Sequence, residues 1–333
     1  MRQYWEMKNL HTDKVLLFRM GDFFEMFFDD AVKAAPILGI ALTSRNKKAA
    51  DETPMCGVPH HSIGGQINKL LASGLKVAIC DQIEDPEFAK GIVKRAVTRI
   101  LTPGMVYDAD TLEASSANYL GSLEGSSISL LDASTGEALL FSGLSDVEMV
   151  NLLRTLPLAE LVVSPGVAKV GDFELASLAP LLISEHDGDL QDDRLLADVK
   201  NEPSASRLLS YVKSLEGDKR FAFLRPFVRR ELQGRLEMSP TVLKSLEVFE
   251  TQKNEKEGSL FSAVNRTRTS MGARLLRSRL AFPWCDKASL EAAWDQVDLW
   301  QKRSSEMKLL RERLFDVGDI ERRLTRLAPP TCN

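Results

Sequence analysis

Two adjacent phenylalanines and a glutamate follow a Gly-Asp pair in the stretch 17–31, LFRMGDFFEMFFDDA. Loops are usually polar, so either both rings are core residues or one is held out for a binding partner. Asp22 can cap a following helix, and Glu25, three residues on, completes a variant of the capping box. The residues alone therefore favour the purely structural interpretation, in which Phe23 and Phe24 are both core residues.

Other candidates for chemistry are few. The sequence contains no GxxxxGK[ST] phosphate loop, no GxGxxG, no GxSxG and no HExxH. The four cysteines are scattered without a CxxC pair, as expected of reduced cytoplasmic thiols. The pair His60–His61 is structural or faces a ligand, and structure is the more common role. These residues predict a binding module without metal or cofactor rather than an enzyme.

The net charge of −4 hides a segregation along the chain. Residues 1–108 carry 14 basic and 13 acidic side chains, residues 109–199 carry 3 and 16, and residues 200–333 carry 26 and 18. The middle segment should repel a polyanion and the last should attract one, although the charges could equally serve only to solvate their surfaces. No apolar run approaches the ~18 residues of a membrane span.

Helical and strand patterns alternate through the first hundred residues. Apolar periodicity and turn signals predict helices at 2–10, 25–38 and 62–73 and strands at 14–20, 40–45, 76–82 and 94–104. Residues 46–60 read as a polar loop. In the predicted helix, Phe24, Phe27 and Phe28 share one face, which makes Phe24 a core residue.

The pattern of predicted elements changes in the rest of the chain, first to a second mixed α/β region and then to helices. Strands joined by a turn at 134–136, a helix capped by Ser145 and the strand ELVVSP predict a second α/β domain. From about residue 204 helical periods dominate. The domain boundaries we expect are 1–104, a linker at 105–116, 117–199, and 200–333.

The motifs LLFRMGDFFEMFFDDA, LGIALTSR, TPMCGVPHHS, KVAICDQIEDP and KRAVTRILTPG resemble the mismatch-binding domain of the bacterial MutS family. SISLLDASTGE and LAELVVSP resemble its connector domain, and SLFSAVNRTRTSMGARLLRSRLAFPWCD resembles the start of its core and lever domain. The resemblance implies a multi-domain fold. It consists of a mixed-sheet mismatch-binding domain and an RNase H-like connector, both α/β, followed by an incomplete all-α core domain.

The resemblance also assigns roles to residues. In the family, the first aromatic residue of the motif wedges beside a mismatched base and the glutamate two residues on hydrogen-bonds that base; the matching residues here are Phe23 and Glu25. The second aromatic residue is usually Tyr in the family and is Phe24 here. Further candidate DNA contacts, each equally open to being an ordinary surface residue, are Arg45, Lys47, Lys48, Met55, His60, Lys94, Arg95 and Arg99.

For partners, the resemblance implies double-stranded DNA with mismatches or small insertion/deletion loops, and MutL bound through the connector. It implies ATP and Mg in a carboxy-terminal ATPase that this sequence does not contain. Full-length members are homodimers, but most dimer contacts lie in that ATPase, so this chain could be monomeric. The expected location is the bacterial cytoplasm, with the nucleoid.

Two other functions remain open. A MutS paralogue in another DNA transaction usually lacks the wedge phenylalanine, so the presence of Phe23 with Glu25 argues against it. A metal-dependent nuclease on the connector fold would need clustered carboxylates at strand ends, whereas the densest group of acidic residues in that domain falls in the loop 185–193.

Overall fold

The computed structural model describes residues 1–45, 52–84, 93–106, 112–216 and 223–325. Lys47 and Lys48 lie outside these residues. The elements of the first domain are α1 (Arg2–Leu10), β1 (Lys14–Met20), β2 (Phe23–Phe27), α2 (Phe28–Leu38), β3 (Thr43–Arg45), β4 (Thr53–Pro59), α3 (Ile63–Ala72), β5 (Lys76–Gln82) and β6 (Arg95–Leu101).

The six strands of this domain form one mixed sheet in the order β3-β4-β2-β1-β5-β6. Strands β1 and β5 are parallel, and every other neighbouring pair is antiparallel. Helices α2 and α3 cover one face of the sheet, which we call the helix face, and bury its apolar side chains. Helix α1 covers part of the other face, the α1 face, through the fully buried ring of Tyr4.

Two sequence predictions for this domain are wrong. The helix predicted over 25–38 begins only at Phe28, because residues 23–27 form strand β2 instead. Asp22 and Glu25 therefore form no capping box. The predicted loop 46–60 contains β4, which lies between β3 and β2 in the sheet.

A buried ion pair holds helix α1 against the sheet. The Lys8 Nζ donates to Asp30 Oδ1 at 2.8 Å and to the Lys14 carbonyl oxygen at 2.7 Å. The other carboxylate oxygen of Asp30 accepts from the Leu16 backbone N–H at 3.0 Å. A buried charge is tolerated only when it is paired and hydrogen-bonded. These bonds therefore tie α1, β1 and α2 together.

The second sheet has the order β13-β10-β7-β8-β9-β14. Its first three strands in sequence are an antiparallel meander, and the next two run parallel to the first, as expected for an RNase H-like connector. Its elements are β7 (Tyr119–Glu124), β8 (Ser127–Asp132), β9 (Glu137–Phe141), α4 (Asp146–Thr155), β10 (Leu158–Val163), a short hairpin of β11 (Lys169–Val170) and β12 (Phe173–Glu174), β13 (Leu182–Glu185), α5 (Pro203–Glu216) and β14 (Val228–Arg229).

The apolar core of the second sheet includes residues that precede its first strand and residues that follow β13 in the chain. Met105, at the end of the first domain, is fully buried in it beside Leu120 and Leu131. Helix α5 contributes Leu208 and Leu209, which are also fully buried there. We had expected the helical domain to begin at residue 200, and we propose to move that border beyond β14.

The remaining segment is helical and lies mostly outside the large cores. Its elements are α6 (Pro240–Ser245), α7 (Leu260–Val264), α8 (Ser270–Ala281), α9 (Lys287–Lys302), α10 (Ser304–Phe315) and α11 (Ile320–Thr325). Two mixed sheets followed by a helical segment confirm the fold class expected from the sequence.

Candidate nucleic-acid interface

Strand β2 distributes its side chains to opposite faces of the first sheet. Phe24 and Met26 lie on the helix face, where they are 4% and 0% exposed. Alternation along a strand places Phe23, Glu25 and Phe27 on the α1 face. Phe27 is buried against Tyr4, whereas Phe23, at the uncovered end of the strand, is 46% exposed.

A tight turn brings Phe23 to this end of the sheet. Gly21 has a φ of 58°, in the left-handed region that glycine adopts at no steric cost. The carbonyl oxygen of Asp22, in the same turn, accepts from the His60 backbone N–H at 2.9 Å and lies 3.2 Å from His60 Nδ1. Because Phe23 also pairs with Pro59, the end of β4 supports the exposed ring from one side.

Glu25 lies one step further along the same face. It pairs with Phe18 on β1 and with Gly57 on β4, and its side chain is half-buried. Burial raises the pKa of the Glu25 carboxyl, and the positive charge of Arg45 acts in the opposite direction. A protonated carboxyl can donate a hydrogen bond as well as accept one. The pair Phe23 and Glu25 thus offers an apolar ring beside an adaptable hydrogen-bonding group.

The other predicted residues of strands β3 and β4 lie further from the ring. Met55 pairs with Phe27 and packs partly buried against the Tyr4 side of the sheet. Arg45 pairs with Thr53 at the far end of β4 and holds its guanidinium 5.9 Å from the centre of the Phe27 ring. Both residues share the α1 face with Glu25, at a distance along the strand from Phe23.

Three basic residues in or just before β6, Lys94, Arg95 and Arg99, lie in three different environments. Lys94 is exposed, and it precedes β6 at the same end of the sheet as the Gly21 turn. The Arg95 guanidinium donates to the carbonyl oxygens of Arg19 and Val93 at 2.6 and 2.8 Å and lies 5.3 Å from the Phe18 ring centre. The Arg95 guanidinium therefore stabilises the sheet through bonds within the protein.

Arg99 is exposed but lies on the other face. The register between β5 and β6 shifts at Ile79 and Cys80, so that Arg99 pairs with Ile79, a residue of the helix face. An extra residue in one strand reverses which face the following side chains occupy. The structure therefore does not bring Arg99 together with Phe23 and Glu25.

The comparisons with known proteins identify the family of the chain. Residues 1–110 match the family model for MutS domain I, and residues 241–333 match that for MutS domain III. The DNA mismatch repair protein MutS of Myxococcus xanthus (strain DK1622) is 40% identical over 98% of this chain. The chain belongs to the MutS family. Proteins of the same name from Sorangium cellulosum (strain So ce56) and Bacillus subtilis (strain 168) are 37% and 36% identical over 97% and 98% of the chain.

Length distinguishes this MutS-family chain from those relatives. It covers 40%, 38% and 39% of the three proteins, so it spans about 40% of the length of the curated relatives it matches. Among the described helices of the chain, none is long and apolar enough to cross a membrane.

One further exposed apolar residue of domain I lies at the same end of the first sheet as Phe23 and was missed in the sequence. Ile83 follows β5 at the same end of the sheet, next to Lys94, and its apolar side chain is 58% exposed. Its position directly after the predicted strand 76–82 was the only available signal, and an exposed isoleucine is common enough on protein surfaces to be passed over.

The carboxylates of the second sheet do not assemble the cluster that a nuclease needs. Glu124, at the end of β7, is paired with Arg207 at 2.6 Å and accepts from the Ser164 hydroxyl at 3.1 Å. Glu160 is fully buried and accepts from the hydroxyl of Tyr211 at 2.5 Å. Within the described ranges there is no group of three or more His, Cys, Asp or Glu side chains placed to hold a metal ion.

Proposed function

We propose that this chain carries the surface with which a MutS-family protein recognises mismatched and unpaired bases in double-stranded DNA. The observation that supports this most directly is the exposed ring of Phe23, on the same face as the half-buried Glu25 and at the free end of a well-packed sheet. Single exposed apolar residues are common on protein surfaces, and what distinguishes Phe23 is its position two residues before Glu25 on the same face, in the motif that resembles the MutS family.

Phe23 would act as a wedge in the minor groove. An apolar side chain inserted between base steps unstacks them and kinks the duplex, at a cost of about a few kcal/mol. A mismatched or unpaired base is already poorly stacked, so the same deformation costs less there. Discrimination of this kind depends on how easily the duplex deforms, and it therefore works in any sequence context.

Glu25 would make the contact conditional. An ionised carboxylate repels the phosphate backbone, so its presence penalises duplexes in which no base is free to hydrogen-bond it. The raised pKa of Glu25, caused by burial, would ease protonation and let the group donate to a base acceptor. Both effects favour heteroduplex over matched DNA.

The remaining roles follow from exposure. Phosphate contacts hold a protein in register without reading sequence, and exposed cations on the first domain suit that task. Arg45 and Lys94 are exposed, His60 supports the turn, and Met55 packs against the Tyr4 cluster opposite Phe27. By family resemblance, we propose that the second domain contacts MutL, and that ATP, Mg and most homodimer contacts belong to the ATPase of full-length relatives.

The test compares affinities for one duplex with and without a single mismatch. Phe23→Ala should remove most of the preference for the mismatch, because base–aromatic stacking is worth roughly 1–3 kcal/mol. Phe315→Ala is the matched control, since Phe315 is 71% exposed on α10 and far along the chain from the turn. An unchanged preference in Phe23→Ala would contradict the proposal.

A further inference from the structure

Helix α11 docks onto the second sheet through polar side chains. Its two buried residues are Arg322 and Thr325. The Arg322 Nε donates to the Ser134 hydroxyl at 3.1 Å, and the Thr325 hydroxyl donates to the Ser134 carbonyl oxygen at 2.6 Å. Ser134 lies in the turn between β8 and β9, so the contact joins the helical segment to the tip of one hairpin.

The same guanidinium holds the polypeptide that leads into the second sheet. Arg322 Nη1 donates to the Glu113 carbonyl oxygen at 3.1 Å, and Nη2 donates to the Ser116 carbonyl oxygen at 2.7 Å. The Arg322 side chain is 1% exposed. Because an arginine is buried at acceptable cost only when its donors are satisfied, these oxygens are what makes its position possible.

A second arginine reinforces the contact from α8. Arg274 pairs with both carboxylate oxygens of Asp319, at 2.6 and 2.9 Å, and with Glu321 at 2.8 Å. It also donates to the Ala114 carbonyl oxygen at 3.2 Å. We call Arg274, Arg322 and the carbonyl oxygens of residues 113, 114 and 116 the arginine joint.

The helical segment touches the second domain at an apolar contact as well. Leu232 and Phe282 pack, partly buried, against the core that includes Met149 and Leu153 of α4. An apolar contact holds two bodies together without fixing their angle sharply, whereas the hydrogen bonds of a planar guanidinium to several fixed oxygens are directional. The two contacts therefore have different mechanical roles.

We propose that Arg322 is a positioning residue that sets the orientation of the helical segment relative to the two sheets. The contact at Leu232 and Phe282 acts as the pivot, and the arginine joint fixes the angle about it. The joint holds residues 113–116, which lead into β7, and the Ser134 turn, so it ties the helical segment to the second sheet. This inference concerns the arrangement of the domains and does not depend on the proposed function.

The experiment measures distances between pairs of spin labels in the whole chain by pulsed electron paramagnetic resonance. Cys285 and Cys332 are replaced by serine, while Cys56 and Cys80, which are buried, remain. One label pair joins the exposed Val147 of α4 to the exposed Gln296 of α9 and reports the angle of the helical segment.

A second label pair, between Lys33 of α2 and Val147, reports the two sheets alone. In the parent protein both pairs should give one narrow distance peak. Arg322→Met should remove the narrow peak between positions 147 and 296 and leave that between 33 and 147 intact. Arg322→Lys should behave like the methionine variant, because a single ammonium group cannot reach Ser134, Glu113 and Ser116 together. Arg313→Met, at an exposed arginine of α10, is the control and should change neither peak.

Two results would overturn the proposal. One is a 147–296 peak in Arg322→Met as narrow as in the parent; the other is equal broadening of both peaks, which would indicate a general role in folding. If Arg322→Met does not fold, the milder double variant Ser134→Ala with Thr325→Val removes two bonds of the same contact. It should broaden the 147–296 peak alone, and an unchanged peak would likewise overturn the proposal.

Discussion

Phe23 and Phe24 are consecutive residues of one strand, and their rings lie on opposite faces of the same sheet. The first is 46% exposed beside the Gly21 turn, and the second is 4% exposed in the core under α2 and α3. One peptide bond thus separates a side chain available to a partner from one that stabilises the fold. The two rings should respond differently to the same truncation.

Phe24→Ala should cost about 3–5 kcal/mol of unfolding free energy, as truncation of a buried phenylalanine usually does. Phe23→Ala should change it by less than about 0.5 kcal/mol, because surface substitutions remove little packing. Chemical denaturation of both variants measures the difference. If Phe23→Ala were the more destabilising of the two, the burial assigned to the rings would be wrong.

Glu25→Gln should stabilise the protein more at neutral pH than in acid. Burial raises the pKa of Glu25 from its ordinary value of 4.5, so the parent loses stability as pH rises from 4.5 through the folded-state pKa. The melting temperature of the variant minus that of the parent should therefore grow between pH 4 and 7.

Glu148→Gln supplies an internal control of opposite sign. Hydrogen bonds from Ser145 lower the pKa of Glu148 below its ordinary value of 4.5. The ionised Glu148 therefore stabilises the parent above pH 4.5, and this stabilisation is lost as pH falls through the folded-state pKa. The variant should be relatively less stable at pH 7 than at pH 3. Melting curves with the same pH trend for both variants would contradict these assignments.

Glu25→Ala should raise the affinity for matched DNA more than that for mismatched DNA. The substitution removes a carboxylate that repels the phosphate backbone and also removes the hydrogen bond offered to an unpaired base. Fluorescence anisotropy on the two duplexes measures both constants. A loss of affinity for matched DNA would show that Glu25 does not act by repulsion.

Asp30→Ala should destabilise the first domain by about 3–5 kcal/mol, because it leaves the buried Lys8 ammonium without its partner. The side chains of Lys8 and Asp30 are only 15% and 5% exposed. Glu6→Ala is the control: it breaks the Arg2–Glu6 pair, whose side chains are 94% and 52% exposed, and should cost less than about 1 kcal/mol. Urea denaturation of both variants provides the comparison, and similar costs would contradict the role given to the buried pair.

Binding to DNA should weaken steeply with salt, with a slope of log K against log salt of about −0.9 for each phosphate neutralised. Lys94→Ala should reduce that slope by about one such step and weaken matched and mismatched duplexes equally. Arg95→Met should leave the slope unchanged, because the Arg95 donors are already bonded within the protein. If Arg95→Met changed the salt slope and Lys94→Ala did not, the roles given to the two residues would be reversed.

Local signals were sufficient for some elements. Strands β1 and β5 match their predicted ranges, 14–20 and 76–82, because dense apolar residues lie between clear turn residues. Helix α4 was predicted from Ser145, and the structure contains the full capping box between Ser145 and Glu148. In these cases the deciding interactions lie within a few residues of each other in the chain.

Other elements depend on distant contacts. Residues 24, 27, 28 and 31 have helical spacing, yet pairing with β1 and β4 makes 23–27 a strand. Phe24 is a core residue as predicted, but because it faces the helices from a strand and not because it lies on a helix face. Helix α5 has an apolar face, but no pattern within it says that this face packs on the second sheet. Tertiary pairing decides both, and periodicity alone cannot.

The candidate site shows the same division. Family resemblance pointed to Phe23 and Glu25, which share one face, although their proposed roles in DNA recognition are still to be tested. Arg95 and Arg99 were both candidate DNA contacts, but the register shift beside Ile79 turns Arg99 to the other face. A single inserted residue in a strand leaves no mark in composition or charge.

The burial of Met105, Leu208 and Phe227 in one core has a consequence for synthesis on the ribosome. The first sheet is complete once residue 101 has emerged, but the second core must wait for residues up to 227. At about 5–20 residues per second this delay is roughly 6–25 s. During that time the nascent chain carries a finished first domain followed by an open apolar sheet, which is when chaperones have most to bind.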